Sequence, residues 1–389
     1  MQDAGEGRGF GEGYGEEFGG DGMRKGWEYK SFETCINKLP KAKQVKTSEY
    51  SSGTKYPIIS QEDKLISGYY DDESYVFHID SPVVIFGDHT RVLKYIDFDF
   101  VVGADGVKII SPQKDLNAKF LLYYLQWYKI PNLGYSRHYK LLREIKIPLP
   151  PQSTQLAIVS ELDKINELIR LKKEQLKDFD NLAQSLFYEM FGDPAENEKG
   201  WEVKKLGDIS SIGTGSTPNR KNKDFYKNGT YPWVKSTEVC NLPIYSVEEY
   251  ITEEALKNSN CTLYPPNTIL MAMYGQGKTR GQIGLLKIEA CTNQAVAAIM
   301  PTKEVVDEIF LSQHLMLMYE HIRNMARGGN QANLNLSIVK SIQIFLPPLS
   351  LQRLFAQRIE QIEREKSEVQ KSIQDLETLL ASRMQYWFE

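Results

Sequence analysis

Leu149-Pro150-Pro151-Gln152-Ser153-Thr154-Gln155 returns as Leu346-Pro347-Pro348-Leu349-Ser350-Leu351-Gln352, an offset of 197 (149 to 346), and both copies open a long charged segment with a regular apolar beat. A Pro-Pro pair cannot lie inside a helix but suits the turn that leads into one, so each copy marks a helix start. In the first segment apolar side chains fall at Ile158, Leu162, Ile165, Ile169, Leu176, Phe179, Ala183, Leu186 and Met190, stepping by four and three with Lys172 as the one polar intruder. That is a heptad seam. Shifted by the same offset it becomes Phe355, Ile359, Ile362, Lys366, Val369, Ile373, Leu376, Leu380, Arg383 and Trp387, and eight of the ten are apolar. Gly192-Asp193-Pro194 stops the first helix. Two matched seams can satisfy each other within one chain or pair with a second copy, and the seam alone leaves both open. Lys172 and Lys366 could set register as polar seam positions, but the expectation is that they snorkel to the surface.

A second repeat, Gly26-Trp27-Glu28 and Gly200-Trp201-Glu202, has a different offset of 174 (27 to 201) and marks two domain starts. The blocks behind these starts carry short β-like runs at 81–86, 98–110, 267–273 and 295–300. Tyr56-Pro57-Ile58 echoes Tyr231-Pro232-Trp233, and each block closes on a helix-like stretch, 116–128 or 305–325. The expected fold class is therefore α/β (α+β), alternating globe and long helix. Its divisions are a first globe at 23–148, a first long helix at 149–192, a second globe at 193–345 and a second long helix at 346–389. Residues 1–22 alternate glycine with acids, offer nothing to bury, and are expected to be disordered, with Met23 as the start of the folded part.

At 389 residues the chain suits two or three domains. A net charge of -4 does not describe a uniformly basic nucleic-acid binder, but a footprint depends on where charge sits rather than on its sum. Cys35, Cys240, Cys261 and Cys291 show neither C-x-x-C spacing nor a nearby zinc-type histidine, so reduced, mostly buried thiols and no structural metal are expected. No apolar run approaches the roughly 20 residues that span a bilayer, and no basic-then-apolar leader opens the chain. The expected location is the cytoplasm.

Basic residues cluster in loop-like parts of both globes. The first holds Lys38, Lys41, Lys43, Lys46 and Lys55, then Arg137, His138 and Lys140 beside Tyr135 and Tyr139. The second holds Arg220, Lys221, Lys223 and Lys227, then Lys278-Thr279-Arg280 after Gly275-Gln276-Gly277, then Arg327 with Asn330, Gln331 and Asn333. Lys and Arg supply phosphate affinity, while Arg, Asn and Gln can make two-pronged contacts with guanine or adenine edges. Any one lysine is more often a solvated loop charge than a base contact; the glycine-flanked Arg280 and the 327–333 stretch carry more weight. His138, a lone histidine between aromatics, is taken as a DNA contact at most.

Enzymatic readings rest on short matches. Ala272-Met273-Tyr274-Gly275-Gln276-Gly277-Lys278-Thr279 imitates a phosphate-binding loop, but Ala272 replaces its first glycine and a strand-like run follows instead of a helix. Asp97 and Asp99 upstream of Glu144-x-Lys146 imitate a metal-dependent nuclease, although such triplets are common by chance. An adenine methyltransferase would need an Asn/Asp-Pro-Pro-aromatic tetrad, and the chain has none. A lone nuclease or ATPase thus explains only isolated matches, and a coiled-coil scaffold leaves both globes idle.

Taken in order, the Gly-Trp-Glu starts, the variable globes and the two L-P-P-x-x-x-Q helices resemble the specificity subunit of type I restriction-modification enzymes over residues 26–389. Lys235-Ser236 after Tyr231-Pro232-Trp233, and Asn333-Leu334 before the second Pro-Pro, give softer support; the first globe lacks that Asn-Leu pair at 135–142. The resemblance implies two target-recognition domains separated by an intramolecular antiparallel helix pair, reading a bipartite double-stranded DNA site with an unspecified gap. It also implies two methyltransferase subunits using S-adenosylmethionine on adenine, and restriction subunits using ATP and magnesium. This chain would then have no catalytic residue and no cofactor of its own.

Overall fold

The computed structural model describes residues 24, 26–53, 55–134, 136–275, 277–325 and 333–389; the expectations for 1–22, Met23, Arg327, Asn330 and Gln331 lie outside the described residues. The chain divides into two compact units, Met1–Lys173 with Lys371–Glu389, and Glu174–Gln370. Each unit thus takes about half of each long helix, so the helices are not segments separate from the globes.

The two repeats turn out to be the two ends of one ladder. Glu28–Ser31 pairs antiparallel with Lys146–Leu149, Glu28 opposite Leu149, and Glu202–Lys205 pairs with Gln343–Leu346, Glu202 opposite Leu346. Each globe is closed by zipping its first strand onto its last, immediately before Pro-Pro. Gly26 and Gly200 lead into these first strands at φ of +83° and +67°, a left-handed turn that glycine takes without steric cost.

Inside the first unit Val83–Gly87 lies antiparallel between Leu93–Ile96 and Val107–Ile110. Its counterpart in the second is Ile269–Ala272, between Ile283–Leu286 and Val296–Pro301, in a sheet that Ser210–Thr214 and Pro243–Ile244 extend. Another layer repeats as well. Tyr56–Ile59 runs antiparallel to Gly68–Tyr70 and parallel to Phe100–Val102; Tyr231–Val234 runs antiparallel to Tyr250–Ile251 and parallel to Cys291–Thr292. The Tyr-Pro echo therefore marks equivalent strands. The run expected at 98–110 is two strands broken at Gly106, whose φ is +95°, and the stretch 305–325 is two helices, Glu308–Leu317 and Tyr319–Met325.

Ala118–Tyr128 is capped by Asn117, whose side chain accepts from the Lys119 and Phe120 amides; Glu308–Leu317 is capped in the same way by Asp307. The long helices are Gln152–Phe191 and Leu349–Phe388, each of 40 residues. The last residue of the L-P-P-x-x-x-Q motif locks each one to its globe. Gln155 is buried, donates to Asp115 O and Pro150 O at 2.8 and 3.0 Å, and accepts from the Asn117 amide at 2.8 Å. Gln352 is buried likewise, donates to Pro347 O at 2.8 Å, and accepts from the Asp307 amide at 3.0 Å.

The seams pair within the chain, and antiparallel. In the first unit Glu161 accepts from Arg383 and from Trp387 Nε1 (3.0 Å), while Lys173 meets Glu377 at 2.9 Å. In the second, Phe187 packs on Phe355 and Lys366 reaches Asp180 at 2.9 Å and Glu363 at 3.0 Å. Lys366 therefore does not snorkel free: its side chain is 19% exposed, and although burial opposes its charge, the two carboxylates hold its pKa above the ordinary lysine value. Phe187 and Phe191 leave the seam for the second core, against Phe310 and Phe345, and Phe388 enters the first, against Phe120, Tyr124 and Trp127. Of the cysteines, Cys35 and Cys291 are buried, but Cys261 is half-buried and Cys240 exposed, so the expectation of mostly buried thiols holds for two of four. Burial pushes the Cys291 thiol up to about 12. No helix among the described residues is long and apolar enough to cross a membrane.

Candidate nucleic-acid interface

Strand direction gathers the candidate residues. Residues 44 and 45 run parallel to the strand ending at Val102, which runs parallel to Tyr56–Ile59, so the loops that follow all leave at one end. There Lys46 stands beside the Gly103–Gly106 loop, with Gln61 next to it. The loop behind Ser60 is pinned from below by Lys94, a buried ammonium donating to Ser60 O (2.9 Å) and Lys64 O, with burial pulling its pKa down. Gln61 ties three loops together: its Nε2 donates to Asp105 O at 3.2 Å, its Oε1 accepts the His89 amide at 3.3 Å, and its carbonyl accepts the Thr90 hydroxyl at 2.6 Å. The hairpin Asp88–Arg91 connects to the loop before Tyr139 through Arg91 Nη1, which donates to Ile130 O at 3.0 Å.

Arg137 is exposed on this face, 3.5 Å from Asp105 Oδ2. His138 is not. It is fully buried, its Nδ1 donates to Asp88 O at 2.8 Å, and its Nε2 accepts the Leu133 amide at 2.9 Å. The ring is a structural tie between two loops, which corrects the reading of His138 as a DNA contact. Lys41 and Lys140 are exposed; Lys43 reaches Ser74 Oγ at 3.3 Å and lies over the Tyr75 ring at 5.1 Å.

In the second unit the loops after Tyr231–Val234 and Cys291–Thr292 leave together, and the Met273 amide donates to Ala295 O at 2.8 Å. Thr217 Oγ1 donates to Gln294 Oε1 at 2.5 Å on the same side. Lys278-Thr279-Arg280 sits in the hairpin between Ile269–Ala272 and Ile283–Leu286. With strands on both sides, the phosphate-loop imitation lacks a helix N-terminus. The hairpin is held by Arg323, which donates to Gly277 O at 2.8 Å, and by the Tyr319 hydroxyl, which donates to Lys278 O. Lys278 is exposed, Thr279 and Arg280 half-buried, and Arg280 Nε is buried without a partner among the described residues. Asn333 is exposed. Arg220 is exposed but already engaged: it is paired with Glu249, stacks over Tyr226 and Trp233 at 4.4 and 4.8 Å, and Glu249 raises its pKa. Lys221 beside it is exposed.

Gln61, His89, Thr90, Arg91 and Gln294 were not among the sequence candidates. The available signal was a Thr-Arg pair in each hairpin, Thr90-Arg91 and Thr279-Arg280, although the two are one place out of step because Arg91 stands where Gly281 does. The nuclease-like Asp99 is occupied, because the Ile79 amide (3.0 Å) and His78 Nδ1 (2.7 Å) hold its carboxyl below the ordinary range. No cluster of His, Cys, Asp and Glu suited to a metal occurs among the described residues.

This is a duplicated protein whose modules each offer one loop-built face over a common framework. A family model, type I restriction modification DNA specificity domain, matches residues 25–178 and 198–378, and the chain belongs to that family. The specificity subunit of the EcoR124I/EcoR124II type I restriction enzyme from Escherichia coli is 26% identical over 324 residues, 79% of this chain and 80% of that one. A putative MjaX specificity subunit from Methanocaldococcus jannaschii is 23% identical over 316 residues, 72% of each chain. The crystal structure of a type I restriction-modification S subunit from M. genitalium matches with a TM-score of 0.60 at 16% identity, covering 92% of this chain and 95% of that one, a likeness of fold.

Proposed function

We propose that this chain is the DNA-reading subunit of a type I restriction-modification complex, each unit taking one half of a bipartite double-stranded site. The observation that carries the reading is the duplication of the face: in both units the same strands deliver a hairpin and its neighbouring loops to one end, with exposed Arg, Lys, Asn or Gln side chains. Those side chains supply phosphate affinity and two-pronged base contacts. Chemistry would belong to partners: two methyltransferase subunits carrying S-adenosylmethionine for adenine, and restriction subunits carrying ATP and magnesium, all acting with this chain in the cytoplasm. The chain itself would orient DNA and hold no catalytic group.

The test is to express the full chain with and without its methyltransferase partner and to map methylated adenines across the genome. Modification at one bipartite motif should require both proteins, and the purified chain alone should neither cut nor methylate. Magnesium-dependent cleavage by the lone chain, abolished by Asp99→Ala, would overturn the reading.

A further inference from the structure

The two faces share a backbone correspondence sharp enough to compare single side chains. Asp88 and Met273 are each the first residue beyond the central strand, and the hairpins they open close with the same two bonds. Gly87 N–H donates to Val92 O and Arg91 N–H to Gly87 O; Ala272 N–H donates to Gln282 O and Gly281 N–H to Ala272 O. Across from each hairpin one amide ties in the next loop: His138 N–H reaches Asp88 O at 2.9 Å, and Leu334 N–H reaches Met273 O at 3.1 Å. Arg137 and Asn333 therefore stand at one place in the duplicated framework, each one residue ahead of its tie and each exposed. The short helix that follows starts one residue later relative to the tie in the second unit, Leu336 against Tyr139, so the tie defines the correspondence.

Their chemistry differs in a way that DNA distinguishes. Arginine offers a planar fork of donors that fits guanine O6 and N7, and asparagine offers one donor and one acceptor that fit adenine N7 and N6. Arg137 also has an orienting partner. Asp105 meets its Nη2 at 3.5 Å, and the loop carrying Asp105 is fastened by Gln61, which holds the His89 and Thr90 hairpin as well. Both members of the Arg137–Asp105 pair are exposed, at 65% and 76%, so it adds little to stability, and it places a carboxylate beside the guanidinium on the exposed face.

We infer that Arg137 and Asn333 are specificity-determining residues at equivalent places in the two half-sites, Arg137 taking a guanine and Asn333 an adenine. Asp105 and Gln61 are positioning residues for Arg137. This rests on the DNA-reading function proposed above.

The experiment uses the full chain with its methyltransferase partner, methylation mapping, and binding to cognate and random duplexes. Arg137→Asn should lower discrimination for guanine at one position of one half-site by about tenfold to a hundredfold and leave the other half untouched. Asn333→Arg should do the same for an adenine in the opposite half. Arg137→Lys keeps the charge, so random-duplex binding should persist while guanine discrimination is lost; it decides the matter should Arg137→Asn fail to melt cooperatively. Asp105→Asn should loosen only the base that Arg137 reads, with melting temperature unchanged. Equal loss on cognate and random duplexes in the Arg137 variants would make Arg137 a phosphate contact and overturn the inference. So would unchanged specificity in both Arg137→Lys and Asn333→Arg, or one variant altering both halves. A wild-type complex that methylates no bipartite motif would instead sink the proposed function itself.

Discussion

Arg91 holds a φ of +63° at the place where the second hairpin uses Gly281 at +88°, so the first unit keeps a left-handed residue with a side chain. Its guanidinium explains the retention, since Nη1 fastens the hairpin to Ile130 O. Arg91→Gly and Arg91→Ala both lose that bond, but alanine also carries a Cβ into the left-handed region. Arg91→Gly should therefore be the more stable variant by about 1 kcal/mol, the reverse of the ordinary order in regular structure, measured by urea unfolding. An alanine variant as stable as the glycine one would mean the hairpin relaxes. His314 poses a different conflict: it is fully buried, neither ring nitrogen has a partner among the described residues, and its ring lies against Phe187, Phe310 and Phe345. Burial lowers its pKa from the ordinary 6.5 to about 3. Between those values the unfolded chain binds the proton and the folded chain does not. The linkage thus leaves folding stability undiminished above about 6.5 and lowers it as pH drops toward 3. The slope from this group is at most about 1.4 kcal/mol per pH unit. His314→Leu removes two stranded polar atoms, so it should flatten the dependence below pH 6.5 and be more stable than wild type at pH 5. Denaturant melts of both proteins at pH 7 and pH 5 check this, and parallel pH slopes would contradict it.

At the scale of elements, the motif glutamines fasten the start of each long helix to its globe. Gln155 satisfies two carbonyls and one amide from a buried position, and Gln155→Ala would strand all three at a cost of about 2 to 4 kcal/mol. Gln155→Glu should be worse, because it turns a carboxylate toward the carbonyls of Asp115 and Pro150. Thermal unfolding that ranks glutamate above alanine would show that the site opens to water. The same elements show what could be read from the chain alone. Pro-Pro, Gly-Trp-Glu and the heptad step are local signals, and each landed on a helix start, a closing strand or a paired seam. Phe187, Phe191 and Phe388 were illegible as core residues because a helix that passes from a seam into a globe keeps the same 3.6-residue period. The first reading face was obscured for a related reason: its hairpin is short, its left-handed residue is an arginine instead of a glycine, and its organiser, Gln61, works through contacts distant in sequence. His138 misled because a histidine among tyrosines looks alike on a surface and in a loop junction.

At the scale of the whole molecule, each of the two 40-residue helices passes from residues of one unit into residues of the other, and at 1.5 Å per residue each extends about 60 Å. That is comparable with roughly 18 base pairs at ~3.4 Å each. We expect the pair to set the gap in a bipartite site. The Glu161–Arg383 pair of the first unit and the Asp180–Lys366 pair of the second each run antiparallel with nearly the same residue sum, so removing 171–177 from one helix and 368–374 from the other takes one heptad from each and leaves the pairing within each unit in register. Seven residues are nearly two full turns, so the apolar stripe stays in phase while each helix shortens by about 10 Å, close to three base pairs. The deletion removes Val369 and Ile373 from the buried seam and the Lys173 partner of Glu377, so some loss of thermal stability accompanies it. The mapped methylation motif should keep both half-sites and lose about three base pairs from its gap. Occupancy should also fall, because three of the roughly 10 base pairs per turn swing one half-site around the duplex, and contacts on that side must be rebuilt. A folded, shortened protein that still directs methylation with the original gap would show that the helices do not space the reading heads, whereas altered half-sites would show that helix length and base reading are not separable.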